Sequence, residues 1–281
     1  MLIDTHCHIQ FNAYKDDYDE VIKRCTDKGM ILNAVGSQID TSRRAVEYAE
    51  KYSNIYATIG LHPVHLFPTM VDEGEVVFKT REENFDFEEY KKLASHPKVI
   101  AIGECGLELY HLPENVSREE VLKKQKHEFL LQHQLATELG LPLVIHIREA
   151  HPEMIELLKT LPHPLKGVVH CYTGNWEYAE EYLKMGLYLG FTGVVTFPPK
   201  KTNPAPQLWL TEVIEKIPLD RILVETDSPY LAPTAYRGKR AEPWMVEEVV
   251  KKIAEIRKIG VEEIQKISCN NALGLFDKIN V

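Results

Sequence analysis

No apolar run in this sequence approaches the roughly 18 residues that cross a bilayer, so no membrane span is expected. The opening stretch, Met1-Leu2-Ile3-Asp4-Thr5-His6, lacks both the basic region and the apolar core of a signal peptide, which points to a soluble protein of the cytoplasm. No two of the five cysteines (Cys7, Cys25, Cys105, Cys171, Cys269) stand in CxxC spacing, which removes zinc-finger and thioredoxin-like readings and leaves reduced thiols as the expectation. Repeats, low-complexity tracts and Gly/Ser linkers are also missing. Residues 1–281 therefore read as one domain, a length that barrels of alternating strands and helices reach. Positive charge is in deficit, with a net charge of −9. That excludes a protein coating nucleic acid through a broad basic face, but not an enzyme gripping one strand end at a metal centre.

What recurs is a short apolar run followed by an amphipathic stretch. The runs lie at 2–7, 31–36, 55–61, 99–104, 142–147, 167–172, 187–192 and 222–227. Most are bounded by Gly, Pro or polar clusters, as strands buried on both faces are. Helical spacing marks 16–28, 41–52, 85–95, 118–139, 152–160, 176–185, 207–217, 243–258 and 261–275. Asp40 or Thr41 reads as the cap of the second helix, and Ser117 with Glu120 as a capping box ahead of 118–139, which Gly140 ends. Eight strands each followed by a helix predict an α/β (β/α)8 TIM barrel with an extra C-terminal helix; an open doubly wound sheet is the alternative.

The polar residues favour the barrel. Most runs end in an ionisable side chain: His6 and His8, His62, Glu104, His146, His170 and Asp227. Burying such groups at separate places is costly, whereas the strand ends of a barrel converge on one mouth. His6 and His8 share a strand face, so their imidazoles can chelate one ion. Glu104 follows Val99-Ile100-Ala101-Ile102-Gly103, where an unpaired carboxylate has no structural purpose; its two oxygens can bridge two divalent ions. His146 and His170 end consecutive strands and add ring nitrogens. Asp227 reads either as a turn residue before Pro229 or as a metal ligand and general base. Four histidines and two carboxylates suit Zn²⁺ or Mn²⁺, with Mg²⁺ an option. By strand alternation Cys7, Cys105 and Cys171 should point away from the neighbouring ligands, as small buried hydrophobes.

In their order and spacing, Asp4–His8 (DTHCH), 60–63 (GLHP), 103–108 (GECGLE), 146–148 (HIR), 170–174 (HCYTG), 225–233 (ETDSPYLAP) and 236–243 (YRGKRAEP) resemble the TatD family of metal-dependent hydrolases within the amidohydrolase superfamily. The resemblance runs through essentially the whole chain. It implies a TIM barrel with two divalent ions, one held by His6, His8, Glu104 and Asp227 and the other by Glu104, His146 and His170. It implies phosphodiester hydrolysis, as a deoxyribonuclease trimming single-stranded DNA 3′ to 5′, with Asp227 and Glu104 as catalytic residues. Glu108 and Glu149 stand where the family usually has Asp, and Ala241 where it often has Asn.

For substrate contacts, Arg148 reads equally as a phosphate ligand or a rim salt bridge, and His62 as a substrate contact or a loop-fixing hydrogen bond. Arg237 and Arg240, with Lys239 and nearby tyrosines, suit a single strand or a merely solvated loop. His65 is expected to be exposed. Competing functions are a hydrolase of small amides, esters or phosphoesters, a D-aminoacyl-tRNA deacylase, and a catalytically silent binding barrel, against which the intact ligand set argues. A monomer without membrane contact is the expectation.

Overall fold

The computed structural model describes residues 1–72 and 77–280. Ten strands lie at β1 (Leu2–Cys7), β2 (Met30–Val35), β3 (Ile55–Ile59), β4 (Met70–Asp72), β5 (Val77–Lys79), β6 (Val99–Glu108), β7 (Leu143–Arg148), β8 (Gly167–Val169), β9 (Tyr188–Phe191) and β10 (Ile222–Val224). Eight of them form one sheet in the order β1-β2-β3-β6-β7-β8-β9-β10, and every pair in it is parallel. Helices α1 (Tyr18–Asp27), α2 (Ile39–Lys51), α3 (Phe87–Ala94), α4 (Arg118–Leu139), α5 (His151–Leu158), α6 (Trp176–Lys184), α7 (Ala205–Lys216), α8 (Val246–Arg257) and α9 (Val261–Leu275) follow the strands. This is the expected (β/α)8 barrel with its additional C-terminal helix.

The strands are buried along most of their length because both faces are covered, by the helix ring outside and by the barrel filling inside. The larger core lies between sheet and helices. A second cluster gathers early strand residues, Ile3, Ile31, Tyr56, Val144, Val168 and Leu223, against Cys269, Ala272 and Leu275 of α9 and Phe276 just after it. The last helix thus stoppers the end of the barrel where the strands begin. Among the described residues no helix is long and apolar enough to cross a membrane.

Closure joins the first strand to the segment that follows the last. Cys7 bridges Ser228 in parallel fashion, His8 N–H donates to Ser228 O at 2.7 Å, and Asp227 N–H donates to His6 O at 2.9 Å. Asp4, fully buried, accepts from Thr226 N–H at 2.9 Å and from the Thr226 hydroxyl at 2.6 Å. Thr5 donates its hydroxyl to Val224 O at 3.1 Å.

Several boundaries differ from those expected. β6 runs four residues further than the apolar run, to Glu108, because Gly103 and Gly106 let it lie close against β7. Both glycines have positive φ, +145° and +154°, and a Cβ on Gly106 would collide with the His146 carbonyl. β8 and β10 stop at Val169 and Val224, so His170 and Asp227 leave the strands for loops. The cap of α2 is Gln38 rather than Asp40 or Thr41; the Thr41 hydroxyl accepts from Gln38 N–H at 3.0 Å. The capping box of α4 forms as expected, with Glu120 N–H on Ser117 Oγ at 3.2 Å and Ser117 N–H on Glu120 Oε2 at 3.1 Å. The antiparallel hairpin of β4 and β5 has no counterpart in the apolar pattern.

Candidate metal centre

At the end of the barrel where the strands finish, six side chains meet. His6 Nε2 lies 3.3 Å from His8 Nε2, 3.5 Å from Glu104 Oε2 and 3.6 Å from Asp227 Oδ1. His8 Nε2 is 3.3 Å from the same Asp227 oxygen. The other Glu104 oxygen, Oε1, faces His146 Nδ1 at 2.9 Å and His170 Nε2 at 3.8 Å. Glu104 therefore turns one oxygen to each of two histidine sets. Asp227 Oδ1 also lies 3.7 Å from His170 Nε2. The arrangement brings together all six residues expected as metal ligands.

The outward ring nitrogens of His8, His146 and His170 face acceptors, which orients their inward ones. His8 Nδ1 lies 2.7 Å from the Val35 carbonyl, which only accepts, so Nδ1 carries the proton and Nε2 presents a lone pair inward. His170 Nδ1 is held by Glu225 Oε1 at 2.8 Å, and His146 Nε2 by Glu108 Oε2 at 3.1 Å. Glu225 also receives Cys171 N–H at 2.6 Å, and Glu108 receives the N–H groups of Tyr110 and His111 at 2.7 and 3.0 Å. His6 Nδ1 is buried without a hydrogen-bond partner, and its ring stacks on that of His170 at 3.5 Å.

Burial and mutual charge compete at every group. Burial pushes Glu104 up, but His62, His6 and His146 outweigh it and hold the carboxyl well below its usual range. Burial opposes ionisation of Asp227 as well; His170 and His8 reverse this and lower it. Burial disfavours protonated His146 and His170, yet their carboxylate neighbours lift them to about 9 and about 10. His6, buried and beside His170, is lowered. Protons on His146 and His170 balance the two ionised carboxylates in this buried space, and a divalent cation can take the place of those protons. The donor set thus fits divalent metal. Groups of potential ligand atoms within 4.8 Å of one another include His6–His8–Asp227, His6–Glu104–His170, His62–Glu104–His146 and His170–Cys171–Asp227.

The centre opens into a cavity of about 280 Å³, lined among others by Phe11, His62, Glu108, Arg148, Cys171, Tyr230 and Leu231. Arg148 stands on it with its guanidinium 4.2 Å from the Tyr110 ring centroid. His62 lines it and also makes the loop bond, accepting Val64 N–H on Nδ1 at 3.1 Å. His65, expected outside, is buried on the same wall. Arg237 and Arg240 do not line the cavity. Arg237 is exposed and lies over Phe197, 4.4 Å from its centroid. Arg240 departs from its expected substrate role: it holds Asp17 with bonds of 2.9 and 2.6 Å and the Ala13 carbonyl at 2.6 Å, over the Tyr14 ring.

A family model described as TatD related DNase matches residues 3–277. The chain belongs to the TatD family. It is 40% identical, over 98% of its length and 99% of the relative's, to a protein of Bacillus subtilis named as the uncharacterized metal-dependent hydrolase YabD. It is 33% identical to the 3′-5′ ssDNA/RNA exonuclease TatD of Cronobacter turicensis, covering 99% of this chain and 98% of that one. Among solved structures, the TatD homologue YjjV of Escherichia coli K12 superposes with a TM-score of 0.82 at 27% identity, covering 98% of both chains. This TatD protein is accordingly a metal-dependent hydrolase.

Three features of this TatD chain were not read from residue types and spacing. Glu225 was passed over although it stands two residues before Asp227; only a partner for His170 gives it meaning. Glu108 was noted as a departure, and its extra methylene brings it to His146. Cys171 breaks the alternation rule: its φ of +45° turns it from the strand direction, and it lines the cavity with its sulfur 3.3 Å from Thr192 Oγ1. Cys7 and Cys105 behave as expected, buried with their sulfurs on Asn33 O and Val144 O. Ala241 is fully buried among Ala232 and Met245, a place with apolar neighbours.

Proposed function

We propose that this protein is a nuclease that hydrolyses phosphodiester bonds of single-stranded DNA from the 3′ end, acting in the cytoplasm with two divalent ions, Zn²⁺, Mn²⁺ or Mg²⁺. The observation that carries the reading is Glu104, whose two oxygens face two histidine sets, His6 on one side and His146 with His170 on the other. In the proposed assignment His6, His8, Glu104 and Asp227 hold one ion, and Glu104, His146 and His170 the other. Five free cysteines fit a reducing compartment. The exonuclease named among the relatives supports the substrate class.

Bound divalent ions supply Lewis acidity towards a phosphoryl oxygen and a water acidic enough to attack at neutral pH. Asp227 orients the attacking water and accepts its proton on a carboxylate that its histidine neighbours keep ionised. Glu108 and Glu225 hold His146 and His170 in one orientation, so the inward nitrogens need no rearrangement. Arg148, packed on Tyr110 at the cavity wall, neutralises a phosphate of the bound strand.

The test is cleavage of an end-labelled single-stranded DNA oligonucleotide with each metal and with EDTA. Stepwise shortening from the 3′ end, abolished by EDTA, is expected. Asp227→Asn should keep the fold and lose about 10²–10⁴-fold in rate, the worth of a positioned base. Metal bound at both sites with no shortening of any oligonucleotide would refute the nuclease assignment.

A further inference from the structure

Five histidines aim a ring nitrogen at Glu104 or Asp227, and they are not equivalent. His8, His146 and His170 have their outward nitrogens on acceptors, namely the Val35 carbonyl, Glu108 and Glu225. Once these rings are neutral, their inward nitrogens present lone pairs. His62 has the opposite arrangement. Its outward Nδ1 accepts a hydrogen bond from Val64 N–H at 3.1 Å. A nitrogen that accepts has no proton, so the neutral ring carries its proton on Nε2. That inward atom lies 3.4 Å from Glu104 Oε1.

Distance alone would enrol His62 as a ligand, since its ligand atom groups with those of Glu104 and His146. The proton forbids it: a protonated ring nitrogen has no lone pair for a cation. We propose that His62 is instead the hydrogen-bond donor of the centre, giving Nε2–H to a non-bridging oxygen of the phosphoryl group under attack. This rests on the phosphodiester reading given above.

The donor is fixed before substrate arrives. His62 N–H donates to Ser37 O at 2.9 Å, His65 N–H donates to His62 O at 3.0 Å, and Pro63 restricts the backbone of His62 before it to an extended form. The ring stands edge-on to His146, 4.1 Å between centroids. It lines the cavity rather than lying beneath it. A donor held in place at a water-poor site stabilises developing charge without reorganising, and loss of one such donor costs about 10²–10³-fold in rate.

The experiment uses the full chain loaded with Mg²⁺ or Zn²⁺, both diamagnetic, and two variants. His62→Asn keeps an oxygen near Val64 N–H but is too short to place a donor at the centre. His62→Gln restores a longer donor. Nitrogen-15 spectra of histidine-labelled protein should show His62 protonated on Nε2. His62→Asn should keep wild-type metal content, bind inorganic phosphate about tenfold more weakly or worse, and lose about 10²-fold in kcat on bis(p-nitrophenyl) phosphate with KM little changed. His62→Gln should recover part of the loss. Protonation on Nδ1, loss of metal from His62→Asn, or full activity in that variant would each overturn the proposal. If His62→Asn does not fold, the wild-type spectrum decides alone. A wild-type chain inert towards every phosphodiester refutes the nuclease reading, while the spectrum and phosphate binding still judge His62.

Discussion

A single carboxylate illustrates how the site is made at the scale of residues. Glu225 touches no proposed substrate position, yet its Oε1 lies 2.8 Å from His170 Nδ1 and accepts from Cys171 N–H, tying ring and backbone to one carboxylate. Replacement by Gln leaves a group that can turn its amide nitrogen to the ring, releasing its orientation. Glu225→Gln is expected to weaken metal binding about 10–100-fold, as loss of an outer partner does, read by competition with a chromogenic chelator. The proposed ligands were legible because a charged or ionisable residue closing an apolar strand has few structural reasons to be there. Glu225 was not legible, because its significance lies in a partner far earlier in the chain, His170. Cys171 was misread because alternation presumes a continuing strand, and a left-handed residue ends it. Arg240 was misread because charge in a motif does not reveal the Asp17 waiting for it.

At the scale of elements, the helices were more legible than the strand ends. Helix α4 carries its limits in its residues: a reciprocal Ser117–Glu120 cap and the left-handed Gly140. Strand β6 continues past its apolar run because contact with β7, not composition, sustains it. Gly106→Ala should therefore destabilise the fold by several kcal/mol, since both the φ of +154° and the His146 carbonyl oppose a Cβ; a fall in soluble yield and in thermal midpoint would show it. A second element-level prediction concerns the junction of α5 and α6. His151 stacks on Tyr178 and bonds the Tyr182 hydroxyl at 3.0 Å. Burial pushes it down to about 4 in the folded chain, against about 6.5 when unfolded. The unfolded state then binds the extra proton first. Stability is unaffected above about pH 6.5 and falls as pH drops from there towards 4. His151→Gln should lose less urea resistance between pH 7 and pH 5 than the wild type. An equal loss would show that His151 is not the sensitive group.

For the whole molecule, metal held at the candidate centre would act as a clasp on the barrel. Its candidate ligands come from the first strand, from β6 and β7, and from the loops after β8 and β10, so an ion would tie together distant parts of the sheet. Ligand-linked stability follows: ions at 1,000 times their Kd add about 4 kcal/mol. EDTA is expected to lower the melting temperature by several degrees, and to do so less in Asp227→Asn. An unchanged melting curve would show that the ions are not part of the folded state's stability. The barrel itself was legible as eight runs with helical intervals, and α9 as an amphipathic segment. Where α9 docks was not, because an apolar face does not name its partner; it seals the end of the barrel opposite the site.

The seam between the first strand and residues 224–228 bears on how the protein is born. Synthesis delivers the paired histidines His6 and His8 long before their partner Asp227. A chain still growing on the ribosome can bury its early strands, but it cannot close the barrel seam or gather the candidate ligands until Asp227 and Ser228 have been made.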